Sequence, residues 1–462
     1  MSMLSILAIL VVVATGYGIY KSYNVNIVLL VAGLALNLLA VLFGVDTILP
    51  PKSASTGFVG FDLFELLRIV SRSQIGSTGF IILVAGGFAA YMDQIGASDK
   101  LVYYCLKPLK KMAMPYVVLS IVFILAHFLG LVITSAAGLA MLLVVSVYPI
   151  LLGLGVSGTS AAAVIASALI FSYAPSSAIA VLAAKTAGID PMEYLLSYQV
   201  LACLPAALLV MVIHGVLQKF YDRREPKVAD ATQADVSKAK KTRDVDAIPG
   251  YYALFPLVPL VLLFVFNKLV YKTIVLDVAT AMFIGWVVAL LIDWVTRRNT
   301  DLVFKDATAM LKGMGNMLTN VVGLIFVAAL FAQGLQNAGV VDMMINAAKG
   351  AGLGLGGTGL VMSAVIGLIT FLTGSGVASF TSLVPLAPTI SQSFNSSPVE
   401  LTMMMQIASE CLRPISPVAG VVIIVAGFAG VSPLKVVKRT LIPCLVGYVV
   451  ATGDVGVARL PH

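Results

Sequence analysis

The chain has 462 residues, 60% of them hydrophobic and only 11% charged, with a mean hydropathy of +1.03. So much apolar surface exceeds what a soluble core can bury and calls for a bilayer, while continuous rather than alternating apolar runs exclude an outer-membrane barrel. The net charge of +8 does not indicate nucleic acid, because the basic residues fall in short loops between spans, where they set orientation.

Two spans, 3–20 and 27–45, open the chain, and the first lacks the basic n-region and cleavage site of a removed signal peptide. An amphipathic connector leads to a third span, 77–95. A Gly/Ser-centred pair of short apolar segments, 116–152, reads as a re-entrant hairpin. An interrupted helix, 160–188, and a last span, 195–217, complete a first repeat over 1–217. A charged linker, 218–249, has KAKKTR in its middle. The second repeat, 250–462, follows the same order: spans 251–270 and 274–292, a connector, a span at 317–336, a hairpin at 357–392, an interrupted helix at 402–430 and a span at 436–453.

The halves align. A constant offset of 242 places Ile165, Ala166, Ser167 and Pro175 on Ile407, Ala408, Ser409 and Pro417, and Gly188 and Pro191 on Gly430 and Pro433. At offset 243, Phe88-Ala89, Gly96 and Asp99 fall on Phe331-Ala332, Gly339 and Asp342. Duplication is the simplest account. With re-entrant hairpins each half crosses five times, and an odd number inverts the second copy. The predicted fold is therefore an all-α membrane protein of two inverted-topology repeats, each of five spans plus a hairpin and a broken helix. With the linker in the cytoplasm and both termini periplasmic, cytoplasmic loops hold 20 of the 29 Lys and Arg, as the positive-inside rule requires.

Pro175, in "SYAPSSA", and Pro414 and Pro417, in "RPISPVA", should interrupt their helices at membrane depth. Freed backbone groups survive there only beside a cavity or buried in protein. Each break also leaves a half-helix N-terminus with unpaired N–H groups and partial positive charge, and such termini meeting near the midplane hold anions and coupling cations in transporters. Arg413 brings a planar fork matched to a carboxylate, at a depth where Arg is disfavoured by about 2.5–3.5 kcal/mol. Glu410, three residues earlier, is placed for coupling or for an ion pair with Arg413. The plainer alternative for the two is a structural pair that locks the break.

Other polar residues read as structural: Lys185 snorkels, His127 and His214 pack, and Asp93 and Asp277 cap or are solvated. GLGLGGTG at 352–359 follows no strand and carries no Lys, so it is a turn rather than a phosphate cradle. The four cysteines are scattered, and no metal site or disulfide framework is expected. No nucleophile–base constellation supports an enzyme.

The strings ILPPKSASTGF, GGFAAYMDQIGASDKLV, TSAAGLAMLL, APSSAIAVLAA, TGSG and RPISPVAGVVIIVAGFAGVSPLKVVKRT resemble the DcuC-type anaerobic C4-dicarboxylate carriers, bacterial inner-membrane proteins of the wider ion transporter superfamily. The resemblance spans nearly the whole chain. It implies uptake, efflux or exchange of succinate, fumarate or malate, driven by Na+ or H+. It also implies an elevator-type architecture, a homodimer, and no cofactor beyond Na+ as coupling ion. Carried over by position, the substrate-binding tips are Thr134, Ser135 and Gly138, with Thr373, Gly374, Ser375 and Gly376 in the second half. The breaks add Ser176 and Ser177, and Arg413 and Ser416. Val377, Ala178, Ile179 and Glu410 depart from the family pattern and leave room for another carboxylate or a monoanion. An anion channel is the alternative class.

Overall fold

The computed structural model describes residues 3–21, 23–45, 47–50, 53–225, 244–267, 270–271 and 273–457. Among these residues the chain is helical, without strands, and the same ten helices recur on either side of the linker. The first ten are α1 (Met3–Tyr20), α2 (Val25–Leu42), α3 (Val59–Ile95), α4 (Ala97–Leu106), α5 (Pro115–Leu129), α6 (Ala136–Ser146), α7 (Tyr148–Gly153), α8 (Gly158–Ala166), α9 (Ala178–Ala187) and α10 (Pro191–Arg224). Their counterparts are α11 (Gly250–Val265), α12 (Val278–Arg297), α13 (Thr300–Asn337), α14 (Val340–Gly350), α15 (Leu355–Thr373), α16 (Gly376–Leu383), α17 (Ala387–Ser393), α18 (Pro398–Cys411), α19 (Gly420–Ala429) and α20 (Pro433–Val457).

Local irregularities recur at nearly the same offset. A π-helical turn interrupts α3 at Ile75–Gly79 and α13 at Leu318–Val322, 243 residues apart. Gly96 and Gly339, with φ of 79° and 71°, end helices in the left-handed conformation that favours glycine. Ser135 caps α6 and Ser375 caps α16, each accepting a hydrogen bond from the N–H three residues on.

Packing is reciprocal between the halves. α2 lies on α13 and α12 on α3, while α9 lies on α18 and α19 on α8. The two longest helices run antiparallel: Gly79 meets Val322, Gly87 meets Met310, and the Gln94 amide donates to Asp306 at 2.7 Å. Glycines let the backbones close up, as is usual where lipid supplies no hydrophobic drive between helices. α10 and α20 are likewise antiparallel, Val210 facing Gly447 and Asp222 facing Arg439.

Eight helices among the described residues are long and apolar enough to cross a bilayer, with α18 and α19 counted together. Their outer faces display residues such as Leu10, Val13, Leu201 and Val295, which water would penalise and acyl chains accept.

Several boundaries differ from expectation. The connector before the third span in each half is not separate: α3 and α13 run unbroken from connector into membrane, because a π-turn keeps the backbone hydrogen-bonded. The span expected at 251–270 begins as a 3-10 helix and ends at Val265, and that expected at 274–292 starts at Val278, where the Asp277 carboxylate caps the Ala279 N–H. The last span of the first half continues to Arg224, so the linker is shorter than 218–249, and its middle, 226–243, lies outside the described residues.

Candidate functional site

The breaks do not begin at their prolines. α8 stops at Ala166 and α18 at Cys411, well before Pro175 and Pro417, which each sit two residues before the cap of the next half-helix, Ser177 and Ala419. Proline disfavours helix in the residue before it, so it keeps the non-helical segment from joining α9 or α19. Pro414 sits in a single 3-10 turn, Arg413–Ile415.

The non-helical segment 167–177 is held from the other half of the chain. Arg413 Nη2 donates to the Leu169 carbonyl at 2.8 Å, Cys411 Sγ to Ile170 at 3.4 Å, and Glu410 Oε2 accepts the Ser172 N–H at 2.9 Å. The Gln199 amide closes on the Ser172 carbonyl at 2.5 Å. The second break is tied by Ser416 Oγ to the Phe371 carbonyl and by Thr440 Oγ1 to the Pro414 carbonyl, both at 2.7 Å. These contacts satisfy backbone groups that lipid would leave unpaired. Glu410 and Arg413 form no ion pair with each other; each reaches the opposite break instead.

A cavity of about 1100 Å³ lies between the breaks and the hairpin tips. Its wall takes the first residues of four half-helices, two from each half: Ala136 of α6, Ala178 of α9, Gly376 of α16 and Gly420 of α19. Thr134, Ser135, Gly138, Ser176, Ser177, Gly374 and Ser375 also line it, with Glu410 and Arg413. Thr373 and Ser416 do not. Thr373 Oγ1 bonds its own helix at Ile369 and Ser416 is fully buried, so both support the tips from behind. The hydroxyls of Ser135, Ser177 and Ser375 cap their helices, which fixes them at the cavity edge.

The second hairpin tip is pressed onto the second break. A Cβ on Gly376 would lie 2.4 Å from the Ser409 carbonyl oxygen, and one on Gly374, at φ 71°, 2.6 Å from that of Val418. Gly376→Ala is therefore expected to displace the tip at a cost of about 1–3 kcal/mol and to lower both thermal stability and transport. Gly427→Ala, with nothing within 4 Å of its added Cβ, should do neither.

Residues that the sequence reading passed over complete the site. Gln406 donates to Glu410 Oε1 at 3.3 Å and accepts from Tyr194 at 2.8 Å. Asn316 faces the cavity from α13, as does, from α3, Asp93, which the sequence reading took for a capping or solvated residue. The signal for Gln199 and Gln406 was available: a lone amide inside an apolar run needs a partner at that depth. Arg439, near the start of the last expected span, is buried. It bonds Asp222 and Ser160 at 2.7 Å and Glu225 at 2.8 Å. Lys185 is exposed and does not reach the cavity. His127 and His214 pack in the core, bonded to the Phe123 carbonyl and Ser167 Oγ. The four cysteines are free, and no group of three His, Cys, Asp or Glu among the described residues could hold a metal ion.

A multi-pass helical bundle that turns four half-helix N-termini and an arginine toward one cavity within its spans has the build of a membrane transporter. Residues 3–458 match the family of C4-dicarboxylate anaerobic carriers, DcuC, and the chain belongs to that family. It is 32% identical over 449 residues to the anaerobic C4-dicarboxylate transporter DcuC of Escherichia coli K12, covering 96% of this chain and 94% of that protein. Against a probable DcuC of Vibrio cholerae serotype O1 it is 33% identical over 445 residues, covering 96% and 95%. Among solved structures, the MtrF efflux pump of Neisseria gonorrhoeae superposes with a TM-score of 0.62 at 15% identity, over 94% of this chain and 95% of that one. The YdaH transporter of Alcanivorax borkumensis gives 0.57 at 16%, over 94% and 97%. Family and relatives are transporters, and this chain is a transporter and not an enzyme.

Proposed function

We propose that the chain carries a C4-dicarboxylate such as succinate, fumarate or malate across the bacterial cytoplasmic membrane by alternating access, in symport or exchange with Na+ or H+. The observation that carries this reading is the convergence of four half-helix N-termini and Arg413 on one cavity. Each N-terminus presents unpaired N–H groups and about half a positive charge. One carboxylate of a dianion can then sit on the guanidinium and the other between opposed N-termini. The names of the relatives supply the same substrate class.

Two inverted repeats are supported by the antiparallel course of equivalent helices, α3 against α13 and α10 against α20. In this reading the linker is cytoplasmic, both termini are periplasmic, and the cavity, which reaches Tyr103 of α4 and Val245 at the end of the linker, opens inward. The hairpins and broken helices move as an elevator against the remaining spans, which pair in a homodimer.

Purified protein should be stabilised against heating by succinate, fumarate or malate and not by monocarboxylates, since a ligand of the native state stabilises by mass action. In proteoliposomes, unlabelled succinate on one side should accelerate entry of label from the other. A channel shows no such counterflow, and equal stabilisation by acetate would assign the site to a monoanion.

A further inference from the structure

Glu410 is a membrane-depth carboxylate that makes no direct hydrogen bond or salt bridge to a cation. It lies in the cavity wall, 2% exposed, and among the described residues no lysine or arginine pairs with it. Its partners, the Ser172 N–H and the Gln406 amide, are both neutral. An ionised carboxylate in such a place is costly, and an intramembrane acid is a functional site by default, often in a proton relay.

The surrounding hydrogen bonds suit either protonation state. With the carboxylate ionised, Gln406 donates to it through Nε2 while its Oε1 accepts from Tyr194. Rotating the Gln406 amide by half a turn offers Oε1 to a protonated Glu410, and the Tyr194 hydroxyl, both donor and acceptor, turns to take the N–H. The Ser172 N–H keeps its acceptor throughout.

The neighbouring titratable groups leave Glu410 as the one acid in this cluster. Cys411 and Arg413 follow on its own chain, Tyr173 faces it from the first break, Tyr194 and Cys203 from α10, and Cys444 from α20. α15, α16 and α17 pack on α18 without a charged side chain, and Lys185 of α9 is exposed. Across the cavity stands Asp93.

We propose that Glu410 binds the proton that this chain moves with its substrate. The proposal rests on the reading of the cavity as a dicarboxylate site. A dianion on Arg413 adds two negative charges beside Glu410, so substrate binding favours the protonated acid, and by linkage the proton strengthens substrate binding by the same factor. The acid takes one proton from the compartment to which the cavity opens and returns it to the opposite compartment as the dicarboxylate leaves. One proton crosses per dicarboxylate.

The test uses proteoliposomes with a luminal pH dye, labelled succinate, the wild-type chain and Glu410→Gln. The wild type should acidify the lumen by about one proton per succinate. The variant, at whatever rate it retains, should move succinate with no proton, and its uptake should not respond to an alkaline lumen. Luminal acidification per succinate equal to the wild type would overturn the proposal. If the variant does not fold, the wild type alone decides: its succinate Kd in detergent should rise up to about tenfold per pH unit from pH 7 to 8.5, as one linked proton requires. A flat profile overturns the proposal and spares the dicarboxylate reading. No binding of succinate, fumarate or malate sinks both.

Discussion

Arg413→Ala is expected to lose succinate uptake in proteoliposomes by on the order of a hundredfold or more, while inserting and purifying normally. Truncating one partner of a buried, charge-assisted contact costs about 2–5 kcal/mol, and each 1.4 kcal/mol is a factor of ten. Arg413 gives Nη2 to the Leu169 carbonyl and its Nε has no hydrogen-bond partner, so donors of the fork are left for a carboxylate. Arg413→Lys should fall between wild type and alanine, because the charge remains but the fork is lost. Uptake by the alanine variant at the wild-type rate would remove Arg413 from the substrate.

The second large effect is one of stability. Arg439→Ala is expected to cost about 3–5 kcal/mol, because it leaves the nearly buried Asp222 carboxylate without its cation, and to show as lost monodispersity after heating. Asp222 accepts not only from Arg439 but also from the Ser157 N–H at 3.0 Å, from Ser160 and from Tyr116. The cluster thus fastens α5, α8, α10 and α20 at one end of the bundle. Replacing Arg439 and Asp222 together by Met and Leu should restore much of the loss, since removing both charges also removes their desolvation cost. A double variant no more stable than Arg439→Ala would show that the hydrogen bonds to Ser157 and Ser160, and not the charges, carry the cluster.

How far the fold could be read in advance depended on the range of the interaction concerned. The repeat was visible at offsets of 242 and 243 because it is written in the covalent order, and the structure repeats even the π-turns at Ile75 and Leu318 in that register. The cap at Asp277 was foreseeable because it acts on an N–H two residues away. The joining of connector and third span in α3 was not, because apolar periodicity changes at the membrane surface while the backbone runs on. The prolines lie within the interruptions but do not set their limits: a proline constrains only its immediate neighbours, whereas the 167–177 segment is held open by residues more than 230 positions away.

The same division holds for the site. Composition, apolar run length and the charge of the loops determined by themselves that this is a multi-pass membrane protein, with an arginine and prolines inside its apolar segments and halves that align at a constant offset. Those properties follow from solvation of each segment taken alone. Only the tertiary structure decided that Thr373 and Ser416 stand behind the tips rather than at the cavity, that Arg439 is a buried clip, and that Glu410 and Arg413 turn from each other to the opposite break. Each is a choice among partners far apart in the chain, made when unpaired backbone groups in a medium without water must find the nearest donor or acceptor in space.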